Sequence, residues 1–171
     1  LYGFRVEMVD SAGRQLPAAL IHHFNLIDPD HRELFLPISR RMAAAGKETG
    51  AMRIPWLLFG LPVQRGERVL ASAMLYNPTD TSYHQARVRL VLLYTPAGRP
   101  WPFFRAEPFQ MDVAFPVGKK SFDLPPGRSS HSYAGSPAVP GTIVAIGGHV
   151  HEHATRLEFT DETSGATIYR T

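Results

Sequence analysis

Hydrophobic and polar residues alternate along short stretches of this chain, and that alternation is typical of β-strands. In Ala86-Arg87-Val88-Arg89-Leu90 the apolar residues share one face and the two arginines share the other. Thr142-Ile143-Val144-Ala145-Ile146 is apolar on both faces, which predicts a central, buried strand. The predicted strands are Tyr2–Val9, Ala19–Ile27, Arg68–Tyr76, His84–Tyr94, Pro108–Phe115, Arg128–Tyr133, Thr142–His151, Arg156–Thr160 and Thr167–Arg170.

Turn-forming residues separate these stretches, and the chain has 15 Pro and 14 Gly. About nine short strands at this spacing predict an all-β fold, namely an antiparallel β-sandwich or jelly roll formed by residues 1–171 as a single domain. Leu34–Ala45 is a candidate for a short helix, limited by Pro37 and Gly46. The long, Pro-interrupted stretch Arg40–Gly66 predicts one loop excursion across an end of the sandwich.

Composition excludes several classes of function. The net charge of +3 arises from 18 basic and 15 acidic residues that are scattered, without the basic stripe that nucleic acid requires. No apolar run is long enough to be a transmembrane segment. Gly46-Lys47-Glu48-Thr49 lacks the glycine spacing of a phosphate loop, and no serine lies in a nucleophile elbow. Neither a nucleotide site nor a serine hydrolase is predicted.

The histidines carry the strongest candidate chemistry. Three of the eight occupy alternate positions in Gly148-His149-Val150-His151-Glu152-His153. On a strand, His149 and His151 project from one face about 7 Å apart, so both can reach one metal ion. The alternative is a polar strand end with solvated imidazoles. Glu152-His153-Ala154 has the composition of a turn, so His153 is interpreted as an exposed loop residue.

His22 and His23 form a second, adjacent pair. Neighbours in a regular strand point to opposite faces, so both can bind a metal only if the strand ends or bulges there. Leu20, Phe24 and Leu26 share the face of His22, which makes that face apolar, and a buried His22 needs a partner. The alternative is one hydrogen-bonded core histidine and one surface histidine. We predict that His149 and His151 bind one ion together with at least one of His22 and His23.

The chain has no Cys, so thiolate sites are excluded, and imidazole sites suit copper, zinc, iron or nickel. The remaining histidines, His31, His84 and His131, are interpreted as solvent-exposed.

Three short motifs resemble the copper type II, ascorbate-dependent monooxygenases, the group typified by peptidylglycine α-hydroxylating monooxygenase. They are Leu20-Ile21-His22-His23, Met74-Leu75-Tyr76-Asn77-Pro78 and His149-Val150-His151. The resemblance implies a jelly roll with copper as cofactor, zinc being the alternative metal. It also implies that the adjacent histidines bind a first copper with a third His from a later strand. The His-x-His pair, with a distant Met, would bind a second.

The chain departs from this family in two respects. The family enzymes place one copper in each of two jelly-roll domains, whereas this chain carries both motifs within the length of one. Leu75-Tyr76 stands where the third His of the first centre is expected. Met74 and Met111 are candidate thioether ligands, and nothing in their spacing selects either. We therefore expect a metal-binding protein without the coupled two-copper reaction, and whether it is an enzyme stays open.

A competing interpretation is a non-catalytic accessory subunit that docks on a larger assembly, including a membrane-associated one. It depends on apolar residues in predicted loops, namely Trp56, Leu57, Leu58, Phe59, Trp101, Phe103 and Phe104. Packing of these residues under the long loops is the alternative. The resemblance, with a chain that begins at Leu1 inside a predicted strand, predicts a periplasmic or secreted protein whose leader or anchor is not included.

Overall fold

Short β-strands make up nearly all the regular structure of this chain. The computed structural model describes residues 1–47, 50–113 and 124–171. The strands are β1 (Gly3–Val9), β2 (Ile21–Arg32), β3 (Ser39–Gly46), β4 (Met52–Arg53), β5 (Phe59–Gly60), β6 (Leu70–Leu75), β7 (Arg87–Leu93), β8 (Phe104–Arg105), β9 (Glu158–Asp161) and β10 (Ala166–Arg170). Among the described residues, the helical structure is limited to one 3-10 turn at Ala18–Leu20. The predicted all-β class is therefore confirmed.

The first compact unit, Leu1–Ala138, contains a β-sandwich. One antiparallel sheet has the order β4-β1-β7 and the other has the order β3-β2-β6. Phe4 and Met8 of β1 meet Phe24 and Leu26 of β2 and Met42 of β3 in one buried cluster. Because both sheets contribute to this cluster, the core lies between them, as in other sandwiches.

The second compact unit, Val139–Thr171, is built on the antiparallel hairpin β9–β10. The predicted central strand Thr142–His151 is wrong, because residues 139–157 form no ladder. Ile143 and Val144 are 40% and 53% exposed, so the apolar faces of this segment are not covered by neighbouring strands. An apolar run alone does not supply the pairing partner that a strand requires.

Two other stretches differ from the sequence-based expectation. Leu34–Ala45 is not a helix, because Ser39–Gly46 pairs as β3 with β2 and this pairing outweighs the helix propensity of its alanines. The excursion predicted for Arg40–Gly66 accordingly begins only after β3, and it contains β4 and β5.

Two of the predicted strands do not form where the structure describes them, since residues 108–113 and 128–133 contain no strand. Residues 114 and 115 lie outside the described residues. The single domain expected over residues 1–171 stays a prediction. The described residues include no apolar helix of membrane-spanning length.

A buried ion pair joins β2 to β3. Asp28 is 1% exposed, and its Oδ2 accepts a hydrogen bond of 2.6 Å from Nη2 of Arg40. Arg40 also donates to the carboxylate of Glu107. The Asp28 carboxylate accepts further hydrogen bonds from the backbone of Asp30 (2.9 Å) and from Nδ1 of His31 (2.8 Å). Burial opposes ionisation of Asp28, but these hydrogen bonds outweigh it and hold its pKa below the usual range.

We predict that Asp28→Asn lowers the free energy of unfolding by about 3 kcal/mol, because it leaves the buried Arg40 guanidinium without its main counter-charge. Urea denaturation at neutral pH measures the change. The matched control is Asp30→Asn, which removes an exposed ion pair with Arg68 and should leave the urea midpoint close to that of the wild type.

The stability difference between the wild type and Asp28→Asn should depend on pH. A depressed pKa stabilises the fold above the ordinary carboxyl pKa, and this contribution is lost as the pH falls through the lower native value. The stability difference between wild type and Asp28→Asn should therefore shrink below about pH 4. Equal stability of the two proteins at neutral pH would contradict this role for Asp28.

Candidate metal centre

A bulge at the start of β2 brings His22 and His23 side by side. Ile21 lies opposite Leu75 of β6 and His23 lies opposite Met74, so β2 has one extra residue, His22, at this point. The two imidazole rings have centroids 4.3 Å apart and are tilted by 39°. In a regular strand they would lie on opposite faces. The bulge that the sequence requires for joint metal binding is therefore present, and both side chains are half-buried.

The same register distinguishes between the two candidate methionines. Met74 is the direct cross-strand partner of His23, and partners in an antiparallel ladder project from the same face. Met111 lies outside the strands, in the segment that follows β8. Met74 is thus the methionine whose backbone pairs with the adjacent-histidine segment. Sequence spacing could not show this, because the register between two strands is set by the fold.

His149 and His151 form the second pair, although the segment that carries them is not a strand. Their ring centroids are 4.7 Å apart and the rings meet edge to face at 82°. A metal-ligating nitrogen of each ring lies within 4.8 Å of one on the other. Two imidazoles on one tetrahedral metal have nitrogens about 3.4 Å apart, given bonds of about 2.0–2.1 Å. Small side-chain rotations of these exposed residues would reach that geometry.

The backbone before His149 is held against the β9–β10 hairpin. A Cβ atom at Gly148 would collide with the Leu157 side chain and would lie 2.9 Å from the ring of Tyr169. Glycine is therefore required for this close approach. At the neighbouring Gly147 a Cβ would meet nothing within 4 Å. Gly148 thus packs against the hairpin directly before the His149–His151 pair.

The remaining histidines lie outside the two pairs. His153 has a positive φ of 71° and lies in the turn closed by a hydrogen bond from the Ala154 amide to the His151 carbonyl, as its interpretation as a loop residue predicts. His84 and His131 are exposed, also as predicted. His31 is only partly as predicted. Its side chain is half-exposed, but its Nδ1 is held by the buried Asp28.

Sequence reasoning missed this Asp28–His31 pair. Since an ionised carboxylate only accepts hydrogen bonds, Nδ1 of His31 is the donor in this contact. His31 lines a cavity of about 320 Å³ together with Arg40, Glu67, Arg105 and Glu107. The i, i+3 spacing of Asp28 and His31 is the signal in the sequence that could have indicated this pair.

Comparisons of the chain with protein-family models, with curated proteins and with solved structures find no match. The histidine geometry described above is therefore the basis for assigning the site.

We predict that Gly148→Ala lowers the free energy of unfolding by about 1–3 kcal/mol, because the new methyl group forces Leu157 and Tyr169 to move. It should also weaken metal binding, since His149 follows directly in the chain. Thermal unfolding and metal titration measure the two effects. Gly147→Ala is the matched control and should change neither, so equal behaviour of the two variants would argue against the support role of the hairpin.

Proposed function

We propose that this protein is a copper-binding β-sandwich protein in which His149 and His151 hold the metal. The observation that carries the proposal is the closeness of these two imidazoles on a segment supported by a hairpin. The participation of His22 or His23 in the same ion is the sequence-based part of the proposal. With no Cys in the chain, imidazole and thioether groups are the soft ligands that it offers.

Copper is favoured over zinc by the ligand type at the adjacent-histidine pair. The His22–His23 bulge lies beside Met74, and a set of imidazoles with a thioether selects cuprous copper. Zinc accepts the imidazoles but gains little from a thioether. By the resemblance, β6 corresponds to the strand that supplies the third His of the first copper site in the monooxygenases. Here a methionine occupies the ladder position opposite His23.

Titration with cuprous and cupric ions tests this proposal. Wild type should bind one copper ion per chain, and the double variant His149→Ala, His151→Ala should lose it, because two imidazole ligands are removed. Elemental analysis measures the stoichiometry, and His84→Ala is the control because it removes an exposed histidine outside the site. Equal copper uptake by wild type and the double variant would overturn the proposal.

Further variants in the same titration separate the ligands. Loss of copper in a His22→Ala, His23→Ala variant supports a shared ion, and two ions per wild-type chain contradicts it. Met74→Leu should weaken cuprous binding while the matched Met111→Leu should not, since Met74 alone of the two pairs with His23. If both methionine variants bind copper as the wild type does, the ligand set consists of imidazoles.

We further propose that the chain by itself does not perform the coupled two-copper hydroxylation. A His-His-Met set in place of three histidines would change the preferred oxidation state of the first centre. Oxygen consumption with copper and ascorbate, measured against glycine-extended peptides and small phenethylamines, should stay at the level of free copper. Product formation that His151→Ala abolishes would contradict this and establish an oxidoreductase.

The alternative function, a non-catalytic accessory subunit, is favoured by one observation. Several predicted loop residues are exposed, with Phe103 at 66%, and every residue of β6 is exposed as well. Exposed apolar side chains of this kind are typical of surfaces that bind a partner protein. Co-purification of a stable larger complex from the native source, together with a failed copper titration, would select this alternative.

A further inference from the structure

An aromatic cleft in the first compact unit is independent of the histidine pairs. It encloses about 520 Å³, which is within the range of small-molecule sites. Tyr94, Trp101 and Phe104 line it, and the buried Gly60 and Leu61 contribute backbone and an apolar surface. Tyr94 and Phe104 are largely exposed, so their rings are available to a ligand.

The walls of this cleft are fixed by the parallel pairing of β5 with β8. The amide of Phe104 donates to the Leu58 carbonyl (2.8 Å), and the amide of Ala106 donates to the Gly60 carbonyl (3.0 Å). The ring of Phe59 packs at 5.8 Å from that of Phe104. These contacts position the aromatic surfaces before any ligand arrives, and this reduces the ordering cost of binding.

Close packing also holds the other wall in place. The rings of Trp56 and Trp101 meet edge to face, with centroids 6.0 Å apart. A Cβ atom at Gly60 would lie 2.7 Å from Cγ of Pro102, so this glycine is needed for the close approach of the segment after Trp101. The cleft is therefore shaped from both sides by contacts within the unit.

The charge of the cleft is one-sided. Arg99 and Arg105 line it, and none of its lining residues is acidic. Within the described part of the chain, no ion pair involves either guanidinium. Arg105 also lines the neighbouring cavity, where Glu107 is paired with Arg40, whereas Arg99 lines the cleft but not that cavity. Guanidinium groups without a direct ion pair beside aromatic rings favour an anionic ligand with a flat apolar body.

We propose that this cleft binds an aromatic phosphate monoester. The ring of the ligand stacks against the aromatic walls, and Arg99 and Arg105 donate hydrogen bonds to the phosphate oxygens. The volume of the cleft is sufficient for one such molecule. The site does not depend on the copper proposal, since none of its residues is a candidate metal ligand.

Isothermal titration calorimetry with 2-naphthyl phosphate, 2-naphthol and inorganic phosphate tests the proposal on the metal-free protein. We expect 2-naphthyl phosphate to bind at least roughly tenfold more tightly than either of the other probes, because only it uses both the rings and the charges. Comparable affinities for 2-naphthyl phosphate and 2-naphthol would overturn the charge argument. Failure of 2-naphthyl phosphate to bind at millimolar concentration would overturn the proposal as a whole.

The variant Arg99→Gln, Arg105→Gln should remove the preference for the phosphate and leave the weak binding of 2-naphthol unchanged. Arg87→Gln is the matched control, because Arg87 is also exposed but lies at the opposite end of β7 from Tyr94. Circular dichroism of the double variant confirms that it is folded. A folded double variant that binds 2-naphthyl phosphate as the wild type does would contradict the assignment.

Discussion

The pairing of β2 with strands on both sides constrains the first compact unit more than any other contact. β3 pairs with one edge and β6 with the other, and Phe24 and Leu26 in the middle of β2 are buried in the core. The register of β2 shifts at three places, namely at His22, between Leu26 and Ile27, and between Asp28 and Arg32. The first and the last of these shifts lie beside polar side chains, at the two ends of the strand. The strand therefore serves the core in its middle and chemistry at both ends.

The polar end of β2 is stable because its charges are paired with one another. Asp28 and Arg40 would each be costly to bury alone, and together they share a direct ion pair, while Glu107 supplies a second acceptor. Glu33 is completely buried as well, and its Oε1 accepts a 2.7 Å hydrogen bond from the backbone N–H of Gln110. These contacts attach the segment after β8 to the connection between β2 and β3. Buried charge thus organises a part of the fold in which apolar burial is sparse.

The alternation of apolar and polar residues predicted several strands closely. β1, β6, β7, β9 and β10 lie within a few residues of the predicted bounds, and Arg87 and Arg89 are exposed as expected. The wrong predictions lie where the secondary structure depends on whether a neighbouring strand is present. Ala43–Ala45 would suit a helix but extends along β2, and the apolar run at Thr142–His151 has no strand beside it. The residue pattern shows which face of a strand is apolar, but the strand that pairs with it depends on the whole fold.

For the candidate site, the residue types could be predicted from the sequence, whereas the positions of these residues relative to one another required the structure. The histidine pairs follow from spacing, while the bulge at His22 and the position of Met74 opposite His23 depend on strand register and could not be predicted. The second unit buries little apolar surface of its own. Residues 139–171 include no buried side chain, and the chain has no Cys to cross-link them. Units shorter than about 40 residues usually need a disulfide, a metal or a partner to fold. An ion held by His149 and His151 would fix the conformation of the three residues from His149 to His151, in the unit where the hydrophobic core contributes least.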